Sequence, residues 1–171
     1  MGSTHIDLQI MTPLEEGISE EWTTHISKKI LFSIDPKKDV RVEIVFTDDD
    51  VMRSINSQYR GFDETTDVLA FMMGNTCSDS NLTTGEDLIN SELWIQSEAI
   101  PTILGEVMVS VPMAAKQAAE RNVTLKTEIS HLLVHGILHL WGYDHEQLED
   151  AKRMNLKAWS IIEVLDKGNE L

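Results

Sequence analysis

The chain has 171 residues, 42% of them hydrophobic and 25% charged, a globular composition that excludes a disordered, collagen-like or low-complexity chain. With 14 Lys+Arg against 29 Asp+Glu the formal net charge is −15, which excludes general affinity for nucleic-acid phosphates but leaves room for a substrate held by a local basic feature. The single cysteine, Cys77, has no intramolecular disulfide partner and points to a reducing compartment, the cytoplasm. No run of about 18 apolar residues is present, so no transmembrane helix and no membrane partner are expected.

Residues 1–4 are set aside as a tag remnant or a disordered end. From His5 to Ile10, the alternation of Ile6, Leu8 and Ile10 predicts a short strand. Ser19 caps a helix that runs to about Ser33. Glu20 and Glu21 sit in its first turn, and Ile18, Trp22, Ile26 and Ile30 recur every four residues. Asp35-Pro36 ends it. Val40, Val42, Ile44 and Phe46 alternate as a second strand. Thr47 and three aspartates then open a helix to about Arg60, with Gly61 suited to its C-terminal cap. Val68–Met72 is a short apolar strand. Gly74 to about Ala99 is polar, acidic and aperiodic. It reads as a long surface excursion with a short helix around Ser91–Glu98. Ile103–Ser110 is the next strand, and Val111-Pro112 starts a helix through Arg121 with proline at its favoured position. Thr124 to Trp141 is the most apolar helix, and a last one runs from about Gln147 to Lys167. The order β-α-β-α-β-β-α-α-α predicts one α+β domain over residues 1–171, a small mixed four-stranded sheet packed against about five helices.

The chemistry concentrates near the C-terminal end. Of six histidines, four lie within fifteen residues: His131, His135, His139 and His145. Residues i and i+4 share a helical face, about 5–6 Å apart at Cβ, so His135 and His139 can aim at one point. Gly142 then allows a left-handed turn that returns the chain and brings His145 to the same point. Three imidazoles with one open position form a catalytic-type divalent site, with zinc the default ion. A lone histidine on an apolar helix is ordinarily a core residue, but three of them around a glycine turn are hard to reach by chance. His131 continues the series one turn further off and reads either as a functional residue or as core. His5 and His25 read as surface or packing residues. Asp144 is placed to orient a ring from behind.

The spacing H-x-x-x-H-x-x-G-x-x-H matches zinc proteases of the metzincin type, except that the general-base glutamate after the first His is Gly136 here. Glycine moves no proton, which disfavours a peptide or ester hydrolase. The stretch Asn56–Phe71 carries Arg60 at a helix end. Arg60 reads equally as a cation favoured at a helix C-terminus and as a bidentate phosphate clamp. Asp67 reads as a strand-start residue or as a carboxylate supporting the site.

The segment His135 to His145 resembles the signature of the YbeY family of rRNA maturation factors, His-Gly-x-Leu-His-Leu-x-Gly-aromatic-Asp-His, at every position. Asn56–Phe71 is similar to the family's second motif, Asn-x-x-Tyr-Arg-x-x-Asp-x-x-Thr-Asp-Val-Leu-x-Phe. Gly105-Glu106-Val107 stands where the family usually has Gly-Asp-Ile. The resemblance covers most of Val40 to Lys167 and does not extend to the first forty residues or to the Gly74–Ala99 excursion. It implies one zinc ion held by His135, His139 and His145, and a cleft in which Arg60 matters for cleavage of single-stranded RNA. It also implies a role in maturing small-subunit rRNA, including its 3′ end, and in ribosome quality control. The partners implied are the small ribosomal subunit and its assembly factors. Glu106, Asp144 and His131 are the candidates for proton transfer, and the nucleophile is either water or the ribose 2′-OH. Gly136 is expected to leave room beside the metal. Arg53, Lys116 and Arg121 are expected to add positive charge for RNA. A non-catalytic assembly module pinned by zinc is the remaining alternative; it would need a fourth ligand such as Cys77.

Overall fold

A computed structural model describes residues 2–14, 17–73, 101–145 and 147–168. Its elements are β1 (Thr4–Ile10), α1 (Glu20–Ile34), β2 (Val40–Thr47), α2 (Asp49–Arg60), β3 (Val68–Met72), β4 (Thr102–Ser110), α3 (Val111–Arg121), α4 (Leu125–Leu140) and α5 (Leu148–Lys167). The order is the expected one, and the chain folds as a single α+β domain. The excursion after Gly74, its short helix around Ser91–Glu98, and Cys77 lie outside the described residues.

Local chemistry sets the helix starts. The side chains of Ser19, Asp48, Ser110 and Thr124 each accept a hydrogen bond from a backbone N–H in the first turn of the following helix. At the N-terminus the sequence reading is corrected. Thr4 already opens β1, the Ser3 carbonyl accepts from Val40 N at 3.0 Å, and Gly2 N donates to the Pro36 carbonyl at 3.2 Å. Thr4 is therefore part of the sheet edge, and Gly2 and Ser3 lead into it through backbone hydrogen bonds that side-chain alternation does not report.

The sheet order is β1-β2-β4-β3. β1 and β4 both run parallel to β2, whereas β3 runs antiparallel to β4. The two faces of the sheet differ. Val42, Ile44, Phe46, Val107 and Val109 face the large core shared with α1, α4 and α5. Val45, Leu69 and Met108 face a smaller cluster closed by Met52, Val51 and Ile55 of α2. α4 is buried on nearly all sides, from Ile129 through Ile137 and Leu138. It packs on β3 and β4, and this packing holds the histidine segment against the sheet's β3 side.

Candidate metal centre

Helix geometry and one glycine build the histidine cluster. On the last turns of α4, His135 Nε2 and His139 Nε2 stand 3.1 Å apart. α4 ends in a Schellman turn: Gly142 N donates to the His139 carbonyl at 2.9 Å and Tyr143 N to the Leu138 carbonyl at 3.1 Å. Gly142 has φ +87°, a left-handed conformation that strains any residue with a Cβ. Tyr143 packs back on the core, and two residues later His145 closes the cluster. One donor atom from each of His135, His139 and His145 lies within 4.8 Å of the others. The expected trio thus converges.

Burial and mutual repulsion keep the His135 and His139 rings neutral. Desolvation, then His139 and His145, pull His135 down from 6.5 to about 4. His139 is also lowered, first by burial and then by His145. Neutral imidazole is the form that ligates a cation. A tetrahedral centre with metal–nitrogen distances of about 2.0–2.1 Å places two nitrogens about 3.3–3.4 Å apart, close to the His135–His139 separation. The donor set fits a single divalent ion of borderline softness.

Opposite the histidines, the cleft wall comes from the end of α2 and from β3. The cleft has a volume near 740 Å³ and is lined by Arg60, Asp67 and Asp144 together with the three histidines. Arg60 is the last residue of α2. Gly61 caps the helix, its N–H donating to the Ser57 carbonyl. Polar contacts pin the loop that follows: Arg53 forks onto Asp63 at 2.8 and 2.9 Å, and Asn56 Nδ2 donates to the Glu64 carbonyl at 2.9 Å. Asp67 is held on both oxygens. Oδ1 accepts from Val68 N at 2.8 Å and from the Thr66 hydroxyl at 3.2 Å, while Oδ2 accepts from Gln117 Nε2 at 3.0 Å. Its charge favours the protonated form of His135, and the Arg60 charge opposes protonation of His139, so both groups sense the cluster electrostatically.

Several expected residues fall elsewhere. Glu106 stands one position from Val107 in β4, and Val107 meets α4; strand alternation therefore sends Glu106 to the opposite face, beside Glu43. Its carboxyl is held above the usual range by burial and by Glu43, not by the histidines. His131 lies outside the cleft lining; its pKa is lowered by burial, with Glu128 and Arg121 as its charged neighbours. Arg121 pairs at 2.5 Å with fully buried Glu128, and Arg53 pairs with Asp63, so neither is a free cation for RNA. Asp144 does line the cleft, its Oδ1 accepting from His145 N at 2.6 Å. Gly136 lines the cleft between the histidines and also serves the packing: a Cβ there would lie 2.6 Å from Val107 Cγ1, so glycine permits close helix–sheet contact. Sequence reasoning missed Gln117, fifty residues from its partner Asp67, and Asp49, which accepts from the Ser110 hydroxyl and from Thr65. Nothing in the spacing of either residue signals those contacts.

Among the described residues no helix is long and apolar enough to cross a membrane. The model of the family "Endoribonuclease YbeY" matches residues 7–166. The Endoribonuclease YbeY of Desulforamulus reducens is 38% identical over 127 residues, covering 74% of this chain and 73% of that protein. The one from Sulfurihydrogenibium sp. is 38% identical over 138 residues, 80% of this chain and 77% of that one. The one from Clostridium botulinum (Eklund 17B) is 31% identical over 159 residues, 87% and 91% respectively. A Thermotoga maritima protein of known solution structure superposes with a TM-score of 0.55 at 26% identity, covering 97% of this chain and 91% of that one. Carrying both motifs around one cleft and matching the family over nearly its whole length, the chain belongs to the YbeY family.

Proposed function

We propose that this chain is a zinc-dependent endoribonuclease that cuts single-stranded RNA in the cytoplasm. Its substrate is small-subunit rRNA, including the 3′ end, in maturation and quality control, with the small ribosomal subunit and its assembly factors as partners. One observation carries the reading: three imidazoles converge in a single cleft that also holds a guanidinium. His135, His139 and His145 would hold the ion, which, when bound, supplies Lewis acidity toward a phosphate oxygen.

The other steps belong to the chain. Arg60 binds two phosphate oxygens with parallel N–H donors and stays charged at every working pH. It offsets the negative charge that grows on those oxygens as the entering oxygen bonds to phosphorus. Asp144, half exposed at the rim, accepts the entering oxygen's proton at its carboxylate and returns it to the leaving oxygen. Asp67 has both oxygens engaged by donors, so it serves to orient the cleft wall near His135. Gly136 supplies no base for the peptide chemistry of metzincins, so casein and simple esters are expected to give no turnover.

The test compares metal content and RNA cleavage of the wild type, His139→Ala and Arg60→Glu. His139→Ala loses both metal and cleavage. Arg60→Glu keeps the metal and loses cleavage. Retained metal with undiminished cleavage in His139→Ala refutes the centre. Undiminished cleavage in Arg60→Glu reduces Arg60 to a favourable charge at a helix end.

A further inference from the structure

The geometry points to Tyr59 as the platform on which an unpaired nucleobase stacks while Arg60 holds the adjoining phosphate, an inference that rests on the ribonuclease reading above. Tyr59 and Arg60 are consecutive at the end of α2, and both line the cleft that carries the histidines. The Tyr59 ring meets Phe71 of β3 edge to face, with centroids 5.2 Å apart and planes at 61°. That contact fixes the ring's tilt, yet Tyr59 is 66% exposed, so most of its surface is uncovered. The ring is not needed for the core below. The small cluster of Val45, Met52, Leu69 and Met108 is covered by Val51, Ile55 and Phe71 without it.

The charge balance calls for such a platform. At net −15, long-range attraction works against RNA. Among the described residues, Arg60 is the one cation lining the cleft. A single phosphate contact gives modest, salt-sensitive affinity, whereas aromatic stacking on a base is largely indifferent to salt and to base identity. Stacking also discriminates by strandedness. A base within a duplex has both faces covered by its neighbours, while an unpaired base offers a face to the ring. Tyr59 therefore selects unpaired nucleotides, and Arg60 registers the phosphate beside them.

The test is fluorescence anisotropy with the full chain and two labelled probes of equal length: single-stranded oligoadenylate, and an abasic ribose-phosphate strand. The wild type binds oligoadenylate about tenfold or more tightly than the abasic strand, and Tyr59→Ala removes that advantage while binding the abasic strand as before. Tyr59→Phe recovers what Tyr59→Ala loses, because stacking needs the ring and not the hydroxyl. Arg60→Ala weakens both probes and flattens the salt dependence by about 0.7 in the logarithmic slope, the value for one single-strand phosphate. Equal binding of oligoadenylate by Tyr59→Ala and the wild type, or equal losses on both probes, overturns the stacking role. If that happens while the wild type still cleaves RNA, the ribonuclease reading stands alone. A wild type that neither binds nor cleaves overturns both.

Discussion

Gly136→Ala isolates the contact that seats the metal helix. A methyl group at this position would stand 2.6 Å from Val107 Cγ1 and 3.2 Å from its Cγ2, against an ordinary carbon–carbon separation of about 3.5–4.0 Å. Val107 is fully buried and, being β-branched, has little rotamer freedom with which to yield. α4 must then lift off β4 by about 1 Å, carrying His135 and His139 away from Asp67 and Arg60. Replacing a mid-helix glycine by alanine gains about 1 kcal/mol of helix propensity, while overpacking costs about 1–3 kcal/mol. The net is a destabilisation of about 0–2 kcal/mol, a fall in Tm of no more than about 8 °C for a domain of this size. The diagnostic effect is on RNA cleavage, which weakens because the three donors move together relative to Arg60 on the opposite wall, while the metal affinity they set among themselves is kept. Thermal denaturation of the metal-free chain, competition with a chromophoric chelator and a cleavage assay read these effects separately. Val107→Ala alone costs about 2–3 kcal/mol. In the double variant the new methyl fits the vacated space, so its loss is smaller than the sum of the two single losses, with a coupling of about 1 kcal/mol or more. A single Gly136→Ala variant that gains the full helix-propensity term and cleaves RNA as the wild type does would refute the tight helix–sheet contact.

Three further outcomes are expected. Zinc at one hundred times its Kd stabilises the chain by about 2.7 kcal/mol, a rise in Tm of about 5–11 °C that His139→Ala abolishes; an equal rise in that variant places the ion elsewhere. In the metal-free chain, unfolded His135 takes a proton near its ordinary 6.5 while the folded ring waits until about 4. This contribution is therefore complete above about 6.5 and lost as pH falls toward 4, so His135→Ala shows a shallower decline in Tm between pH 7 and pH 5, and parallel curves would contradict it. Arg121→Ala leaves the fully buried Glu128 without its cation and costs about 3 kcal/mol in urea denaturation, whereas a loss under about 0.5 kcal/mol would show the carboxylate to be satisfied another way.

The sequence made most of this arrangement legible because it resides in short-range rules. The i,i+4 histidines, the glycine turn and the serine, threonine and aspartate caps each involve residues within a turn of one another, and each appears where spacing puts it. The misplacements share a cause. Glu106 looked like a site residue because its motif lies on the strand beside α4, but successive side chains leave a strand on opposite faces, and only the register with Val107 shows which one meets the helix. Arg53 and Arg121 looked like free charge because their partners, Asp63 and Glu128, are ten and seven residues away, beyond local pairing rules. Gln117 and Asp49 were silent for the same reason: their value lies in contacts that only the folded chain makes.

The pairing pattern also answers how an acidic protein keeps a phosphate site. Arg53 is neutralised by Asp63 and Arg121 by Glu128, whereas among the described residues no carboxylate forms an ion pair with Arg60. Gly61 ends α2 with a left-handed turn, so the loop that follows leaves the helix at once. Asn56 then fastens that loop through the Glu64 carbonyl, while Asp63 is drawn back to Arg53. The Asp63 carboxylate is thereby engaged away from the guanidinium. Across the cleft, burial keeps His135 and His139 from acquiring a competing positive charge. An arginine with no ion-pair partner among the described residues, in one cleft with neutral His135 and His139, keeps its N–H donors open to a phosphodiester. The chain achieves this not by accumulating basic residues in the cleft but by drawing Asp63 back to Arg53.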